Sequence, residues 1–161
     1  MGIEIDVSGI QDFQDKIAFL NGIQRDLFFR ESCMEGANRL VALVKPRTPA
    51  KTGNLRREWD NAFGRLSREG VSMSKGGRNV YSATIENTAT SSEGVQYASY
   101  VEHGHRQTPG RYVPAIKKRL KASWVEGQHM LEISEGELKN ILPGVIRTKL
   151  DVMIRTVIPH D

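Results

Sequence analysis

Two histidines separated by one residue, His103 and His105, are the plainest candidates for metal chemistry in this chain. In an extended segment both imidazoles would lie on one side, as a pair of metal ligands requires. A zinc site needs further ligands, and the remaining candidates, Cys33 and His129, are distant in sequence. We therefore expect no physiological metal site, and we interpret the imidazoles as hydrogen-bonding or weakly basic contacts of a loop.

Nucleophilic chemistry has equally little support. Ser72 and Lys75 match the Ser-x-x-Lys pattern of penicillin-binding enzymes, and residues 51–53 match their Lys-Thr-Gly element. The two elements occur in the wrong order, and Ser72 falls in a predicted strand instead of opening a helix. The chain also lacks a phosphate-binding glycine loop, a nucleophile elbow and a His-Glu-x-x-His motif. We expect no catalytic residue and no cofactor; the enzymatic alternative is a nuclease that uses the two histidines and Arg111.

Basic side chains are concentrated in two blocks. The chain has 23 Lys and Arg against 19 Asp and Glu. Residues 45–57 hold five of these basic side chains and residues 103–125 hold six, in both cases with no acid. If the fold brings the two blocks together, they form one positive face that could meet an acidic protein surface or a phosphate backbone. If it does not, each block is a separate solvated face. The residues that we predict to contact a partner or face a channel are Arg47, Lys51, Arg56, Arg57, His105, Arg106 and Arg111.

Proline, glycine and aromatic residues accompany both blocks. Residues 45–59 and 97–106 therefore read as loops of fixed shape that are offered to a partner. Basic groups interleaved with aromatic rings can also bind single-stranded nucleic acid. Since the tyrosines near the second block fall at helical or strand spacing, we expect at least two of Tyr97, Tyr100 and Tyr112 to lie in the core instead.

The N-terminal part is predicted to be helical. Apolar residues recur at helical spacing over residues 9–28 and again over residues 29–44, with Ser8 as a candidate N-cap. Pro46 and Pro49 should end the helix. The pattern predicts two helices, or one long bent helix, that stop at the first basic block.

The middle of the chain shows strand signals. Residues 70–88 alternate between apolar and polar around a Gly-Gly turn, which predicts a β-hairpin. Residues 88–94 are small and polar and predict a mobile surface loop. A short helix over residues 97–102 should end at Gly104.

The C-terminal part is predicted to be a strand over residues 123–133 followed by a helix. Ser134 and Glu137 have the spacing of a capping box at the start of that helix. Pro143 should kink the helix or restart it. No strand-helix-strand repeat occurs, so we predict an α+β fold with N-terminal helices and a C-terminal helix packed on a small, mainly antiparallel sheet.

Size and composition fit one ordinary domain. The 161 residues are 39% hydrophobic and 26% charged, and no shift in composition marks a domain boundary. We therefore predict a single domain over residues 1–161. Its ends, at residues 1–8 and 159–161, are predicted to be extended or flexible. Cys33 is expected to be a small buried hydrophobe. With neither a long apolar run nor a signal-like start, we expect no membrane insertion and synthesis in a cytoplasm.

Three segments carry a family resemblance. They are Pro-x-Thr-Pro-x-x-Thr-Gly-Asn-Leu-Arg-Arg at residues 46–57, Tyr-Ala-x-Tyr-Val-Glu-x-Gly-His-Arg at residues 97–106, and an aromatic residue followed by Pro-Ala within residues 112–115. Together they closely resemble the tail-component family of tailed bacteriophages and prophages, whose order of elements this chain follows over residues 9–158. Residues 117–137 depart from shorter members and resemble those of contractile-tailed phages and phage-derived particles.

The resemblance implies a structural virion protein and no enzyme. It implies an α+β subunit that completes the tail or joins head and tail, as a closed ring of about 6 or 12 copies at the neck or the top of the tail. The expected partners are neighbouring neck, connector or tail-tube proteins, with non-specific contact to passing DNA, and the expected location is the virion, after assembly in the host cytoplasm. The alternative that follows from charge alone is a basic nucleic-acid-binding module.

Overall fold

The computed structural model of the protein describes residues 2–6, 18, 20–50, 53–76 and 78–157. Its helices are α1 (Gly22–Arg47), α2 (Asn54–Glu69), α3 (Ala98–His103) and α4 (Met130–Val157). Its strands are β1 (Gly2–Asp6), β2 (Ser72–Gly76), β3 (Arg78–Glu86), β4 (Gly104–Arg106), β5 (Tyr112–Val113), β6 (Lys118–Arg119) and β7 (Trp124–Glu126). Ser8, Lys51 and half of the predicted helix over residues 9–28 lie outside the described residues.

The predicted α+β class is confirmed. Strand β3 is the centre of a three-stranded antiparallel sheet in the order β1-β3-β2, and the β2–β3 hairpin is the one that the alternating pattern predicts. Helices α1 and α2 pack on β3, and α4 packs along α1. Their apolar faces form a single core that includes Phe28, Leu40, Trp59, Ile85 and Leu150. Cys33 is fully buried in this core, as predicted.

Helix α1 begins and ends with side-chain caps. The Asn21 side chain accepts a hydrogen bond from the Gln24 amide, and the Gln24 side chain accepts one from the Asn21 amide. Pro46 lies inside the last turn, so the prediction that it ends the helix is wrong by one residue. The end comes at Arg47 because Thr48 leaves the helix in an extended conformation while its hydroxyl and amide bond to carbonyls of the last turn.

Helix α2 begins within residues 45–59, which we interpreted as a loop, so that interpretation is wrong for residues 54–59. Its buried residues Leu55, Trp59, Ala62 and Leu66 are spaced by four, three and four residues, so one stripe of the helix is apolar. Most of the remaining positions are polar or charged, so the mean hydropathy of the segment is low although one face is apolar. The helical period was therefore present in the sequence and was missed.

Helix α4 starts earlier than the capping-box pattern indicates. The helix begins at Met130, and Ser134 is buried inside it, where its hydroxyl donates to the Met130 carbonyl at 2.6 Å. The predicted start at Ser134 is therefore wrong, and only β7 of the strand predicted over residues 123–133 forms. Helix α4 continues as one element through Pro143, so the predicted restart does not occur.

Glu58 connects α2 to the segment that follows β3. Its carboxylate accepts hydrogen bonds from Arg65 at 2.7 Å and from the Thr88 hydroxyl at 2.8 Å, as well as from Asn61 within the helix. Partial burial by itself disfavours the charged form, but these hydrogen bonds outweigh it and lower the pKa of Glu58. The ionised carboxylate thus stabilises the contact between helix and sheet.

We predict that Glu58→Gln lowers the free energy of unfolding by about 1 to 2 kcal/mol at neutral pH. Because the pKa is lowered by folding, this contribution is complete above the unfolded-state pKa of about 4.3 and is lost as the pH falls through the folded-state value. Urea titrations between neutral pH and about pH 3 should show the deficit shrinking only at the acid end. Glu69→Gln, at an exposed carboxylate in the last turn of α2, is the control; an equal deficit for both would contradict the prediction.

Candidate functional site

The two motif-bearing segments of the sequence meet in space. The Asn54 side-chain amide, at the start of α2, donates to the Tyr97 hydroxyl at 3.2 Å and to the Thr90 carbonyl at 3.3 Å. Gly53 makes this start possible because it adopts φ 70°, a left-handed conformation that favours glycine. Pro49 and residues 53–55 on one side and residues 90–101 on the other therefore form the two walls of one surface feature.

This feature is an open groove of about 530 Å³, which we call the motif groove. Its lining residues are Pro49, Asn54, Leu55, Thr90, Ser91, Ser92, Tyr97 and Val101. None of these carries a formal charge, and most of the lining surface is apolar. The groove can accept an apolar side chain and offers hydroxyl and amide groups at its rim, which is the composition of a protein contact.

The first wall is held by a buried hydrogen-bonded threonine. Thr48 is 1% exposed, and its hydroxyl accepts from the Trp59 indole nitrogen at 3.0 Å. The Arg56 guanidinium donates to the Thr48 carbonyl at 2.8 Å and is half-buried. Arg56, which we predicted to contact a partner, therefore bonds within the protein, to the residue that directly follows α1.

The second wall is held by a buried carboxylate. Glu102 is 1% exposed, and its carboxylate accepts hydrogen bonds from the amides of Leu131 at 3.0 Å and Glu132 at 2.9 Å in the first turn of α4. A negative charge at this end of a helix is favoured by the helix dipole and by the unpaired amides of the first turn. Glu102 thus fixes α3, and with it the groove, to the start of α4.

The backbone crosses itself closely beside Glu102. Gly104, with φ 83°, ends α3 as predicted, and Gly127 lies against the main chain of Glu102 and His103. A Cβ atom on Gly127 would collide with the Glu102 carbonyl oxygen and come within 2.7 Å of the His103 carbonyl carbon. Both glycines are required here because two backbone segments pass with no room for a side chain.

Residues 104–126 form a long β-hairpin, which we call the arm. Strand β4 pairs with β7 and β5 pairs with β6. Main-chain hydrogen bonds from Gln107 to Ser123 and between Arg111, Gly110 and Leu120 continue the ladder between the two pairs. None of the side chains described between His103 and His129 is buried. The strand predicted over residues 123–133 contains one side of this hairpin, at Trp124 and Val125, whereas the strand propensity of Tyr112 and Val113 on the other side was not recognised.

The predicted contact residues separate into two groups. Arg47 forms an ion pair with Glu137 at 2.6 Å. Lys45, which belongs to the same basic block, pairs with Asp60 at 2.7 Å. Arg57, by contrast, is exposed in the first turn of α2. Arg106 and Arg111 are exposed on the arm. The first block is therefore partly neutralised by acids from other elements, while the arm keeps its charge.

His105 lies at the base of the arm, half-buried and with its ring 6.0 Å from that of Tyr100 in an edge-on arrangement. Its Nε2 atom is 3.3 Å from the Gln107 side-chain nitrogen, a local polar contact. Within the described residues, no three side chains of His, Cys, Asp or Glu cluster closely enough to hold a metal ion. None of the described helices is long and apolar enough to cross a membrane.

The expectation that at least two of the three tyrosines lie in the core is wrong. Tyr100 and Tyr112 are each 51% exposed, and only Tyr97 packs against the core. The helical spacing was correctly recognised, but α3 is a single short helix that buries only Ala98 and Glu102 fully. Aromatic rings are consequently presented at the surface near the motif groove and along the arm.

Comparison with known proteins identifies a family that this chain matches. The family model described as "Bacteriophage HK97-gp10, putative tail-component" matches residues 12–104 of this chain. That range contains both walls of the motif groove and ends where the arm begins. No curated protein and no solved structure gives a significant match.

Proposed function

Since the chain belongs to the HK97-gp10-like family of bacteriophage tail components, we propose that it is a structural virion protein that forms a ring at the neck or the top of the tail. In this position the ring completes the tail or joins it to the head. The observation that carries the proposal is that the family match covers more than half of the chain and includes both walls of the motif groove.

The motif groove supports a contact between subunits. It is uncharged and mostly apolar, and the hydrogen bond between Asn54 and Tyr97 already joins its two walls before a neighbour docks. Contacts between such a groove and an unlike patch of the next identical subunit close into a ring when the rotation permits. Arg57, exposed in the first turn of α2, can add a charge-assisted hydrogen bond to a carboxylate of the neighbour.

Electron microscopy of intact particles with a label on this chain tests the proposal. We expect the label in a ring at the junction of head and tail or at the upper end of the tail, and the images would count the subunits. Detection of the chain only in the producing cell, and never in purified particles, would overturn the proposal.

We predict that Ser92→Glu, which adds a charge to the uncharged groove, reduces the number of infectious particles by about tenfold or more, because an unpaired carboxylate would be buried on docking. Ser92 is exposed, so the isolated protein should fold normally. Complementation of a phage that lacks this gene, with particle counts by microscopy, measures the effect as heads and tails that are not joined.

The matched control is Ser67→Glu. Ser67 is also exposed, but it lies thirteen residues further along α2 than Asn54, about 20 Å from that wall of the groove. Normal infectivity of Ser67→Glu and failure of Ser92→Glu would support the groove as the contact. Normal infectivity of both variants would contradict it. Arg56→Ala is unsuitable for this test because it also removes the hydrogen bond to Thr48.

A further inference from the structure

The net positive charge of the protein lies on the arm, and the rest of the chain is slightly negative. Residues 104–126 contain six of the 23 basic residues and one of the 19 acidic residues, which leaves 17 basic and 18 acidic residues elsewhere. The net charge is therefore +5 on the arm and −1 on the rest of the chain, for a total of +4. The six basic residues are Arg106, Arg111, Lys117, Lys118, Arg119 and Lys121.

These six cations are available to a ligand. All of them are exposed, and none forms an ion pair within the described part of the chain. Among the described residues, the Arg119 guanidinium alone of the six donates a side-chain hydrogen bond, to the Gly110 carbonyl at 2.7 Å. This contrasts with the first basic block, where Lys45 and Arg47 are paired with acids.

Aromatic rings are placed beside the cations. Arg106 is directly opposite Trp124 in the β4–β7 pair, and Arg119 is directly opposite Tyr112 in the β5–β6 pair. Residues opposite each other in a ladder lie on the same face of the ribbon. Trp124 and Tyr112 are 44% and 51% exposed, so each face that carries one of these arginines also presents an aromatic ring to solvent.

We propose that the arm binds the phosphate backbone of double-stranded DNA without sequence preference. A two-stranded ribbon of this kind fits the major groove, where the phosphates of both strands flank it. Lysine and arginine neutralise phosphates and release counterions, whereas the arm has no acidic side chain before Glu126 to repel them. A second copy of this chain is a poorer partner because its body carries a net charge of only −1.

Fluorescence anisotropy of a labelled duplex of about 25 base pairs with the purified full-length protein tests the proposal. We expect binding at low salt with equal affinity for two unrelated sequences, and a logarithmic salt slope approaching about −5 if all six cations contact phosphates. The arm variant is Arg111→Ser, Lys118→Ser and Lys121→Ser, at exposed positions where no side-chain hydrogen bond is lost. It should bind at least tenfold more weakly, with a slope shallower by about 3.

The control variant removes the same charge from the body through Arg68→Ser, Lys139→Ser and Arg155→Ser, which are also exposed. Its affinity should stay within about twofold of the wild type. Equal weakening of both variants, absence of binding at low salt, or displacement of the DNA by poly-glutamate as effectively as by unlabelled duplex would each overturn the proposal. The last result would assign the arm to an acidic protein surface. Since the measurement uses the isolated protein, its outcome is independent of whether a ring forms in the particle.

Discussion

Glu102→Ala is expected to lower the free energy of unfolding by about 3 kcal/mol or more. The substitution removes a buried carboxylate that accepts hydrogen bonds from two amides in the first turn of α4, and it leaves the buried Leu131 amide and the partly buried Glu132 amide without their acceptor. Urea denaturation monitored by circular dichroism measures the effect. Glu102→Gln retains one acceptor oxygen but loses the charge, so its effect should be intermediate.

Glu132→Ala is the matched control for this prediction. Glu132 lies in the same first turn of α4, but its side chain is 72% exposed and bonds only to His129. An exposed carboxylate at a helix N-terminus contributes less than about 1 kcal/mol to stability, so the control should leave the free energy of unfolding nearly unchanged. Similar losses for Glu102→Ala and Glu132→Ala would show that burial of the Glu102 carboxylate does not anchor α4.

Gly127→Ala is expected to destabilise the protein by about 3 kcal/mol or more, because its Cβ atom would collide with the backbone of Glu102. The colliding atoms belong to the main chain on both sides, so no side-chain rotation can relieve the contact. The two backbone segments must move apart at this crossing. This movement weakens the contact between the arm and α3 and displaces Glu102 from α4. Thermal unfolding and hydrogen exchange of the amides in residues 101–106 measure both consequences.

Gly136→Ala provides the comparison for Gly127→Ala. Gly136 lies in α4 with no atom near the position of its missing Cβ, so alanine should be tolerated there. The greater helix propensity of alanine should even stabilise the protein by about 0.5 to 1 kcal/mol. If Gly127→Ala proved as harmless as Gly136→Ala, the close backbone crossing would not constrain the fold.

Several elements could be predicted because their signals are local. The β2–β3 hairpin follows from alternation around glycines, and the end of α3 at Gly104 follows from the freedom of glycine at positive φ. The missed helix α2 has an equally local signal in the spacing of Leu55, Trp59 and Leu66. The start of α4 was misplaced because its cap is not local: the acceptor is Glu102, about thirty residues earlier, while Ser134 offers a misleading capping pattern.

The same distinction between local signals and long-range contacts applies to the candidate site. The sequence by itself determined the α+β class, the two motifs and their resemblance to phage tail components, since these depend on residue type and short-range spacing. Only the tertiary structure decided that the motifs form two walls of one groove, because the contact between Asn54 and Tyr97 joins residues that the sequence separates by 43 positions. It also decided which cations are paired: Lys45 and Arg47 meet acids from other elements, whereas no cation of the arm forms an ion pair among the described residues. Charge can be counted along a chain, but its neutralisation depends on which side chains folding brings within a few ångströms.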